Sequence, residues 1–365
     1  MNKNKVKKIA LLTGGGDCPG LNAVIRAATK TAIRQGIKVI GYKFGYKGLY
    51  KNDFVELTKE RVSGIQHLGG TILYSSNKDN LFDYEVEEKG KIVKKNVSQV
   101  AVDNMKKENV DAIIIIGGDG TLTSARDFAR MGVKVIGVPK TIDNDLAVTD
   151  FTFGFNSAIN VARDALDRLH TTAESHHRIM ILEVMGRNAG WIALESGIAG
   201  SADVILIPEI PYDIKKIADK INDRHKRGKL FSIICIAEGA MPKGGSVVVS
   251  QIVKDSPDPI RLGGIGNVLA NQLDSIVAEH EVRATILGHL QRGGSPSTYD
   301  RILATRYGVK AVELLLDERY GNMVTLKGNA MSYVHLENVI GRNKLVDPNG
   351  ELVKTARSIG ITFGD

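Results

Sequence analysis

Cysteine and proline are scarce in this sequence, and each shortage excludes a class of protein. Two cysteines, Cys18 and Cys235, occur in 365 residues. They allow neither a disulfide framework nor a metal-knuckle spacing, so a reducing, cytoplasmic compartment is predicted. Nine prolines against 39 glycines argue against a collagen-like or disordered chain and fit an α/β enzyme with many tight turns.

Aromatic residues are few, and the excess of charge is mild. Aromatics make up 5% of the chain, and the formal net charge is +8. Single-stranded nucleic acids are bound by basic stripes with interleaved aromatic rings. The sequence contains no such stripe, so no nucleic-acid partner is predicted. Steering of small anionic substrates explains the positive excess.

Long apolar runs are also missing. No run approaches the ~18 residues of a membrane span, so no membrane partner is predicted. The basic N-terminal segment leads into the short run IALLT, then into glycines and Asp17. It is therefore interpreted as a first strand rather than a signal peptide.

What the sequence does contain is an alternation of short apolar runs with amphipathic helical segments. The hydrophobic share of 43% over 365 residues is enough for two domains or one large domain. Such alternation predicts parallel sheets with right-handed crossovers. The predicted strands are KKIALLT, KVIGY, AIIIIGG, VKVIGV, RIMILEV, VILIP, FSIICIAE and RATILG.

Three further elements are predicted from local patterns. The first helix follows Cys18, with Pro19 in its first turn and Gly36 at its C-terminal stop. A second helix is predicted over residues 156–169 from its apolar stripe. The charge-dense segment 83–97 predicts a surface hairpin that turns at Lys89-Gly90.

Three loops rich in glycine or aspartate each follow a predicted strand. They are TGGGDCPG (13–20), GGDGT (117–121) and PKTIDND (139–145). Bare glycines let backbone N–H groups approach a phosphate. Asp119 is placed to hold Mg²⁺, a carboxylate of Asp143 or Asp145 to accept a proton from an attacking hydroxyl, and Lys140 to offset phosphate charge. Each loop alone is equally an ordinary turn, but three together favour a ligand site beyond the carboxyl ends of strands.

Charged side chains also occur in later segments that are read as following strands. These segments are EVMGRNAG, IAEGAM and LGHLQRGGSP. The cationic and acidic groups that suit a sugar phosphate are Arg187, Glu238, Arg283, His289 and Arg292. A single arginine is usually a surface ion-pair partner, but several in one region favour a binding site.

Together these motifs resemble those of the 6-phosphofructokinase family. GGGDCPG, GGDGT, PKTIDND, MGRNAGW, AEG and GHLQRGGSP occur in the family's order over residues 6–320. GGDGT alone is shared with NAD kinases and lipid kinases, which do not require the other motifs. The resemblance implies Mg²⁺-assisted phosphoryl transfer from ATP to the 1-hydroxyl of fructose 6-phosphate, giving fructose 1,6-bisphosphate and ADP in glycolysis.

The resemblance also implies roles for individual residues. The catalytic set is Asp143 as general base, with Thr141, Arg187 and Gly16. The nucleotide contacts are Gly16, Gly120, Thr121, Lys140, Tyr46 and Asn77. The metal ligand is Asp119, supported by Asp145. The sugar-phosphate contacts are Thr141, Asp143, Arg178, Met185, Gly186, Arg187, Glu238, Arg283, His289 and Arg292.

The identity of the phosphoryl donor depends on a few positions. Gly120 favours ATP, because pyrophosphate enzymes of the family carry aspartate there, whereas Lys140 is shared with those enzymes. Tyr74 and Asn77 stand where the family usually has glycine and a nucleotide-contacting arginine, and Lys78 is a candidate to compensate. Two alternatives stay open: a pyrophosphate-dependent phosphofructokinase, and a catalytically weak regulatory subunit that binds nucleotide and sugar phosphate.

The implied architecture is α/β, with two doubly wound Rossmann-like domains, the phosphofructokinase fold, and the active site in the cleft between them. The larger, ATP- and Mg²⁺-binding domain is predicted over residues 1–154 plus 291–341. The smaller, fructose 6-phosphate-binding domain is predicted over residues 155–290 plus 342–365.

The resemblance implies an oligomer as well. In the family two arginines, here Arg178 and Arg283, reach in from a neighbouring subunit. A homotetramer, or a homodimer, with sites shared across an interface is therefore predicted. Arg26, Lys30 and Lys59 fall near a basic effector pocket of allosteric bacterial members but are equally compatible with exposed basic residues on helices.

Overall fold

The structure is a computed structural model that describes residues 6–88, 90–252, 260–277 and 280–365. These residues form two compact units. Unit 1 comprises the described part of Met1–Thr141, together with Leu146–Gly154 and Arg292–Arg342. Unit 2 comprises the described part of Ile142–Asp145, Phe155–Gln291 and Asn343–Asp365. Each unit is an α/β structure with its own sheet.

The secondary-structure elements alternate along most of the chain. The strands are β1 (Lys8–Thr13), β2 (Lys38–Tyr42), β3 (Phe54–Glu56), β4 (Tyr84–Glu88), β5 (Lys91–Lys95), β6 (Ala112–Gly117), β7 (Val135–Thr141), β8 (Phe153–Gly154), β9 (Ile179–Val184), β10 (Val204–Leu206), β11 (Ser232–Ala237), β12 (Val249–Ile252), β13 (Ile260–Leu262), β14 (Val282–Ile286), β15 (Asn322–Lys327) and β16 (Ala330–His335). The α-helices are α1 (Leu21–Arg34), α2 (Tyr46–Lys51), α3 (Ser98–Lys107), α4 (Asp119–Arg130), α5 (Phe155–His176), α6 (Trp191–Ala199), α7 (Ile214–Lys226), α8 (Ile265–Asp274), α9 (Thr298–Leu316) and α10 (Glu351–Ser358). Short 3₁₀ turns cover Ile65–His67, Gly288–Gln291 and Leu336–Asn338.

Unit 1 is built around a mixed sheet in the order β16-β15-β7-β6-β1-β2-β3, with β8 paired to β7. Its central strands are parallel, and β16 and β3 pair antiparallel at the two edges. All six residues of β6 are buried, as a strand covered on both faces requires. Because β6 pairs parallel with both β1 and β7, the carboxyl ends of these three strands lie side by side. The three predicted loops are therefore neighbours at that end of the sheet.

Unit 2 contains a smaller sheet in the order β10-β11-β9-β14. All three of its strand pairs are parallel. Six consecutive buried residues make up β9, and β11 has the same pattern. The segments that follow β9, β11 and β14 carry five of the predicted sugar-phosphate residues, so these five lie at the carboxyl ends of neighbouring strands.

The predicted strands are all confirmed, with small changes in their ends. β7 extends through Lys140 to Thr141, so these two residues lie in the strand rather than in the loop after it. The charged hairpin is confirmed as β4 paired with β5, although Lys89 of its predicted turn lies outside the described residues. The sequence patterns do not predict the antiparallel edges formed by β3 and β16.

Two helix predictions need correction at their ends. α1 begins at Leu21, after Gly20 in a left-handed conformation with φ 110°, so the placement of Pro19 in its first turn is wrong. Gly36 has φ +76° and follows the end of this helix, as predicted. α5 continues to His176, seven residues beyond the predicted end at residue 169. Within the described parts of the chain, no helix is both long enough and apolar enough to cross a membrane.

Candidate functional site

The first glycine loop of unit 1 begins where β1 ends, at Thr13. Gly14 donates its N–H to the Ile116 carbonyl of β6 at 2.9 Å. A Cβ atom on Gly14 would lie 2.7 Å from Thr121 Cγ2, a distance that real side chains do not tolerate. The two predicted phosphate loops, after β1 and after β6, therefore pack directly on each other because position 14 has no side chain.

Two cationic side chains reach the same loop. Lys140 is 4% exposed, and its Nζ donates to the Gly16 carbonyl. Arg292 donates from Nη1 to the Asp17 carbonyl at 3.2 Å, and a Cβ on Gly16 would lie 2.9 Å from that nitrogen. A buried ammonium group needs a polar partner, and the loop carbonyl supplies one. The structure thus brings together three of the predicted residues: Gly16, Lys140 and Arg292.

Cys18, in the same loop, is not a nucleophile. It is completely buried, and its Sγ donates to the Phe153 carbonyl at 3.6 Å. Burial raises the pKa of the thiol to about 12, against a smaller lowering by Lys140. The thiolate that nucleophilic chemistry requires is therefore negligible at neutral pH.

Asp119 is the first residue of α4. Its Oδ1 accepts a hydrogen bond from Gly341 N at 3.3 Å, and the side chain is partly exposed. The described residues contain no cluster of three histidine, cysteine, aspartate or glutamate side chains that could hold a metal ion by itself. One carboxylate just beyond the end of β6 still fits Mg²⁺, because Mg²⁺ is usually held by one or two carboxylates with water and substrate phosphates.

Gly120 and Thr121 follow Asp119 in the first turn of α4 and differ in exposure. Gly120 is exposed, and a Cβ built on it would meet no described atom within 4 Å. Thr121 is 8% exposed and lies against the glycines of both loops. The open space at Gly120 is the kind that a donor larger than pyrophosphate requires.

Tyr46 is a buried residue that packs against the segment after β6. Its ring is 5% exposed and stacks on Phe128 with the ring centroids 5.8 Å apart. Its hydroxyl donates to the Thr121 carbonyl at 2.7 Å, and burial raises its pKa well above the ordinary value. Tyr46 therefore fixes the backbone after β6 and offers little surface to a nucleotide.

The PKTIDND motif is divided between the two units. Thr141 ends β7 in unit 1 and accepts a hydrogen bond at its carbonyl from Thr152 Oγ1 at 2.8 Å. Asp143 and Asp145 belong to unit 2. Between them Asn144 has φ 51° and is 1% exposed, so a tight turn separates the two carboxylates. The Asp145 carbonyl accepts from Lys344 N at 2.8 Å, which anchors this turn.

The carboxyl edge of the unit 2 sheet carries five predicted sugar-phosphate residues. They are Met185, Gly186, Arg187, Glu238 and His289, which follow β9, β11 and β14. Glu238 N donates to the Val184 carbonyl at 2.9 Å, and Gly239 N donates to the Gly186 carbonyl at 3.2 Å. Backbone hydrogen bonds thus tie neighbouring loops together and set the spacing of the side chains they carry.

The sequence patterns do not predict a role for Gln291, which lies between His289 and Arg292. Its side chain is completely buried, and its Oε1 accepts from Met185 N at 2.7 Å. Gln291 therefore joins the loop after β9 to the 3₁₀ turn after β14. The only signal for it in the sequence is a polar residue between His289 and Arg292 within GHLQRGG.

Arg178 and Arg283 lie at the other end of the same strands, where β9 and β14 begin. Arg178 immediately precedes β9, and Arg283 pairs with Met180 near the start of β14. Both guanidinium groups pair with the carboxylate of Glu281. At about 3.3 Å per residue, β9 separates Arg178 from the Met185 loop by roughly 20 Å. One copy of unit 2 therefore cannot bring Arg178 and Arg187 to a single sugar phosphate, and Arg283 lies within β14 rather than after a strand.

Asn77 and Lys78 lie in the exposed segment after the Ile65–His67 turn. Ser76, next to Asn77, accepts at its carbonyl from Gly15 N at 3.0 Å. Asn77 lines a cavity beside the first glycine loop, together with Gly16 and Tyr74. The segment is thus close to the predicted phosphate loop, with an amide in place of the arginine of the family pattern.

Comparisons with known proteins agree with this arrangement. The sequence model of the phosphofructokinase family matches residues 8–315. The chain belongs to the phosphofructokinase family. The chain is 72% identical to "ATP-dependent 6-phosphofructokinase 2" of Clostridium perfringens, over 99% of each chain. It is 44% identical to a "Pyrophosphate--fructose 6-phosphate 1-phosphotransferase" of Streptomyces coelicolor, over 98% of this chain and all of the other.

A solved structure shows the same fold. Phosphofructokinase from Saccharomyces cerevisiae superposes with a TM-score of 0.77 and 30% identity, over 91% of this chain and 45% of the yeast chain. The predicted family and the predicted phosphofructokinase fold are therefore confirmed. The roles of individual site residues stay predictions, as does the division of the chain into a donor-binding and a sugar-binding domain.

Proposed function

We propose that this phosphofructokinase transfers the γ-phosphoryl group of ATP to the 1-hydroxyl of fructose 6-phosphate. Family membership supports the reaction, and the 72% identity to an ATP-dependent relative supports the donor. The structural observation that carries the donor assignment is the open space at Gly120. An aspartate there would fill that space and repel the α-phosphate of a nucleotide.

Unit 1 supplies the donor groups in this proposal. The backbone of Gly16 and the buried Lys140 ammonium offset the charge of the donor phosphates. Asp119 is the residue that would hold Mg²⁺, which shields the phosphate charge when bound. Because these groups are fixed by packing and hydrogen bonds, they need little reorganisation when the donor binds.

Unit 2 supplies the acceptor groups. The C1 hydroxyl oxygen of the sugar attacks the γ-phosphorus, and the Asp143 carboxylate takes the hydroxyl proton. The bond between the γ-phosphorus and the β,γ-bridging oxygen breaks, and ADP leaves with that electron pair. Met185, Arg187 and Glu238 orient the sugar, and Arg187 also balances the charge that develops during transfer.

Oligomerisation completes the proposed site. Arg178 and Arg283 pair through Glu281 at the amino edge of the unit 2 sheet, away from His289 at the carboxyl edge. We infer that they bind the 6-phosphate in a neighbouring subunit, while His289 and Arg292 bind it within their own chain. A homotetramer or homodimer in the cytoplasm fits this requirement.

A second candidate is the same transfer from pyrophosphate. Lys140 favours it, since a buried ammonium beside the phosphate loop suits a compact donor of high charge. A relative with a pyrophosphate-dependent name is 44% identical to the chain. Initial rates with fructose 6-phosphate and Mg²⁺, measured in parallel with ATP and with pyrophosphate, decide between them. Activity with ATP supports the proposal. Activity with pyrophosphate alone makes the donor assignment wrong, and inactivity with both favours a regulatory subunit.

A further inference from the structure

A cavity in unit 1 plays no part in the proposed mechanism. It lies at the amino end of β7, whereas the candidate phosphate loops lie at the carboxyl end. Its volume is about 330 Å³, within the range of small-molecule sites. The last turn of α4, the turn before β15 and the end of β16 supply its walls.

The lining of this cavity is richer in positive than in negative charge. Its charged residues are the cations Arg126, Arg130 and Lys134 and the carboxylate Glu337. Arg126 is paired with its neighbour Asp127 at 2.8 Å. Lys134 is exposed, and within the described part of the chain its ammonium pairs with no carboxylate and lies 5.2 Å from the centroid of the Tyr320 ring. Positive charge that is not neutralised favours an anionic ligand.

His335, which also lines the cavity, adds a hydrogen-bond donor to this charge. Its Nδ1 accepts from Glu337 N at 3.4 Å, so the neutral ring carries its proton on Nε2. That nitrogen lies beside Gly321, where a Cβ atom would approach it to 3.3 Å. An imidazole N–H, an ammonium and a guanidinium group around one cavity are the donors that a phosphate group accepts from.

The end of α4 opposes an anion only weakly. The last carbonyls of a helix carry partial negative charge, but backbone N–H groups already bond to those of α4. Gly132 N donates to the Ala129 carbonyl at 2.9 Å. Val133 N donates to the Phe128 carbonyl at 3.1 Å. The cationic side chains therefore dominate the electrostatics of the cavity.

Two connections lead from this cavity to Asp119. The first is α4 itself, which runs from Asp119 to Arg130, roughly 17 Å along the helix axis. The second begins at Arg130, which donates to both carboxylate oxygens of Glu337 at 2.7 and 2.8 Å. Glu337 lies four residues before Gly341, whose N–H donates to Asp119 Oδ1 at 3.3 Å. The Arg130–Glu337 pair therefore anchors a segment that orients the proposed metal ligand.

We propose that this cavity binds a small phosphate monoester that regulates the enzyme. The phosphate accepts hydrogen bonds from Lys134, Arg130 and His335 Nε2. It competes with Glu337 for Arg130, whose side chain is 58% exposed, because an exposed ion pair is weak.

Release of Glu337 loosens the segment that ends at Gly341 and, with it, the hydrogen bond that orients Asp119. Mg²⁺ then binds less tightly, since its ligand is no longer held in place. This regulatory step rests on the proposed metal role of Asp119, whereas the binding site does not.

Acetylation of lysines, followed by peptide mass spectrometry, tests the binding site without turnover. Glycerol 3-phosphate at ten times its Kd should slow acetylation of Lys134 about tenfold, since about one site in ten then stays open. Lys107, exposed on α3 of the same unit, should show no protection, and glycerol should protect neither lysine. Arg130→Gln should remove the protection of Lys134.

Equal acetylation of Lys134 with and without glycerol 3-phosphate, and likewise with inorganic phosphate, overturns the site. Protection that persists in Arg130→Gln overturns it as well. Circular dichroism of the variant checks that the fold is retained. Protection of Lys134 in an enzyme that uses only pyrophosphate would contradict the proposed donor while supporting the site.

Mn²⁺ binding in the presence of adenylyl imidodiphosphate, measured by electron paramagnetic resonance, tests the regulatory step. Glycerol 3-phosphate should weaken Mn²⁺ binding about fivefold, at the lower end of allosteric couplings. Glu337→Gln should weaken it without the ester, because the bidentate pair with Arg130 is lost. Lys134→Gln keeps that pair, so its Mn²⁺ affinity should match that of the wild type and should not respond to the ester.

Two results would contradict this regulatory step. Mn²⁺ affinity that is the same with and without the ester in the wild type would overturn the regulation, even if Lys134 is protected. Mn²⁺ that binds Asp119→Asn as tightly as the wild type would instead contradict the proposed metal role of Asp119. Protection of Lys134 would still support the binding site in that case.

Discussion

The candidate sites of the two units consist of different chemical groups: mainly backbone in unit 1 and mainly side chains in unit 2. In unit 1 the loops after β1 and β6 are glycine-rich, and the buried cation Lys140 is held by a backbone carbonyl. In unit 2 the candidate groups are longer side chains, such as Arg187 and the exposed His289, on loops tied together by backbone hydrogen bonds. A backbone cradle suits a phosphate chain, which offers oxygens in every direction. Separate side chains suit a sugar phosphate, which must be oriented at several points.

The largest expected effect is a loss of kcat on substitution of Asp143, which belongs to unit 2. Asp143→Ser should lower kcat by about 10²–10⁴-fold, the range of general-base catalysis, while the KM for fructose 6-phosphate changes little. Steady-state kinetics with varied sugar phosphate measure both constants. Asp164→Ser, on the solvent side of α5, is the matched control. An unchanged kcat in the Asp143 variant would remove the residue from the base role.

The donor side is probed best at Gly120. Gly120→Asp should raise the KM for ATP about a hundredfold, because a carboxylate near the nucleotide phosphates costs several kcal/mol at short range. Gly120→Ala adds only a methyl group in open space and should stay near the wild type. The KM for fructose 6-phosphate should not change in either variant. An aspartate variant that keeps its ATP affinity would show that Gly120 is remote from the donor.

A subunit-mixing experiment tests whether residues at the two ends of the unit 2 strands serve different active sites. Arg178→Ala should raise the KM for fructose 6-phosphate by roughly tenfold or more, the cost of one charged hydrogen bond. If Arg178 serves a neighbouring subunit, reassembling Arg178→Ala with Asp143→Ser subunits should create some sites with both residues intact. Activity should then exceed the sum of the separate variants. No recovery after verified subunit exchange would contradict shared sites.

The last expected effect is on stability rather than on activity and concerns Glu195, on α6 of unit 2. Burial raises its pKa from 4.5 to about 7, against a smaller lowering by Lys344. Between these two pKa values the unfolded chain is ionised while the folded chain keeps its proton, so stability falls as pH rises from about 4.5 to about 7. The loss amounts to roughly 3 kcal/mol.

Glu195→Gln should remove that pH dependence. Chemical denaturation at pH 8 should show the variant to be more stable than the wild type, and the difference should shrink below pH 5. Asp164→Asn, at an exposed position, serves as the control. A constant difference across this pH range would mean that the Glu195 carboxyl does not titrate as proposed.

Much of the fold follows from short-range patterns. The isoleucine run of β6 and the apolar stripe of α1 are visible in the sequence, because burial on both faces or on one face leaves a distinct periodicity. The edge strands β3 and β16 are not visible in this way. Partly exposed antiparallel edges carry a mixed pattern, and their pairing depends on the sheet they join.

The sequence by itself determined the family, the reaction type and the order of the phosphate and sugar motifs, because glycines and charged residues in those motifs are local requirements of the chemistry. Tertiary structure alone decided which of these residues meet. It brought Lys140 Nζ to the Gly16 carbonyl and the Tyr46 hydroxyl to the Thr121 carbonyl. It also put Arg178 and Arg187 at opposite ends of β9. It also stacked Phe44 on Tyr74 across 30 positions of sequence. Such contacts depend on strand order and register, and no local pattern of residues encodes these.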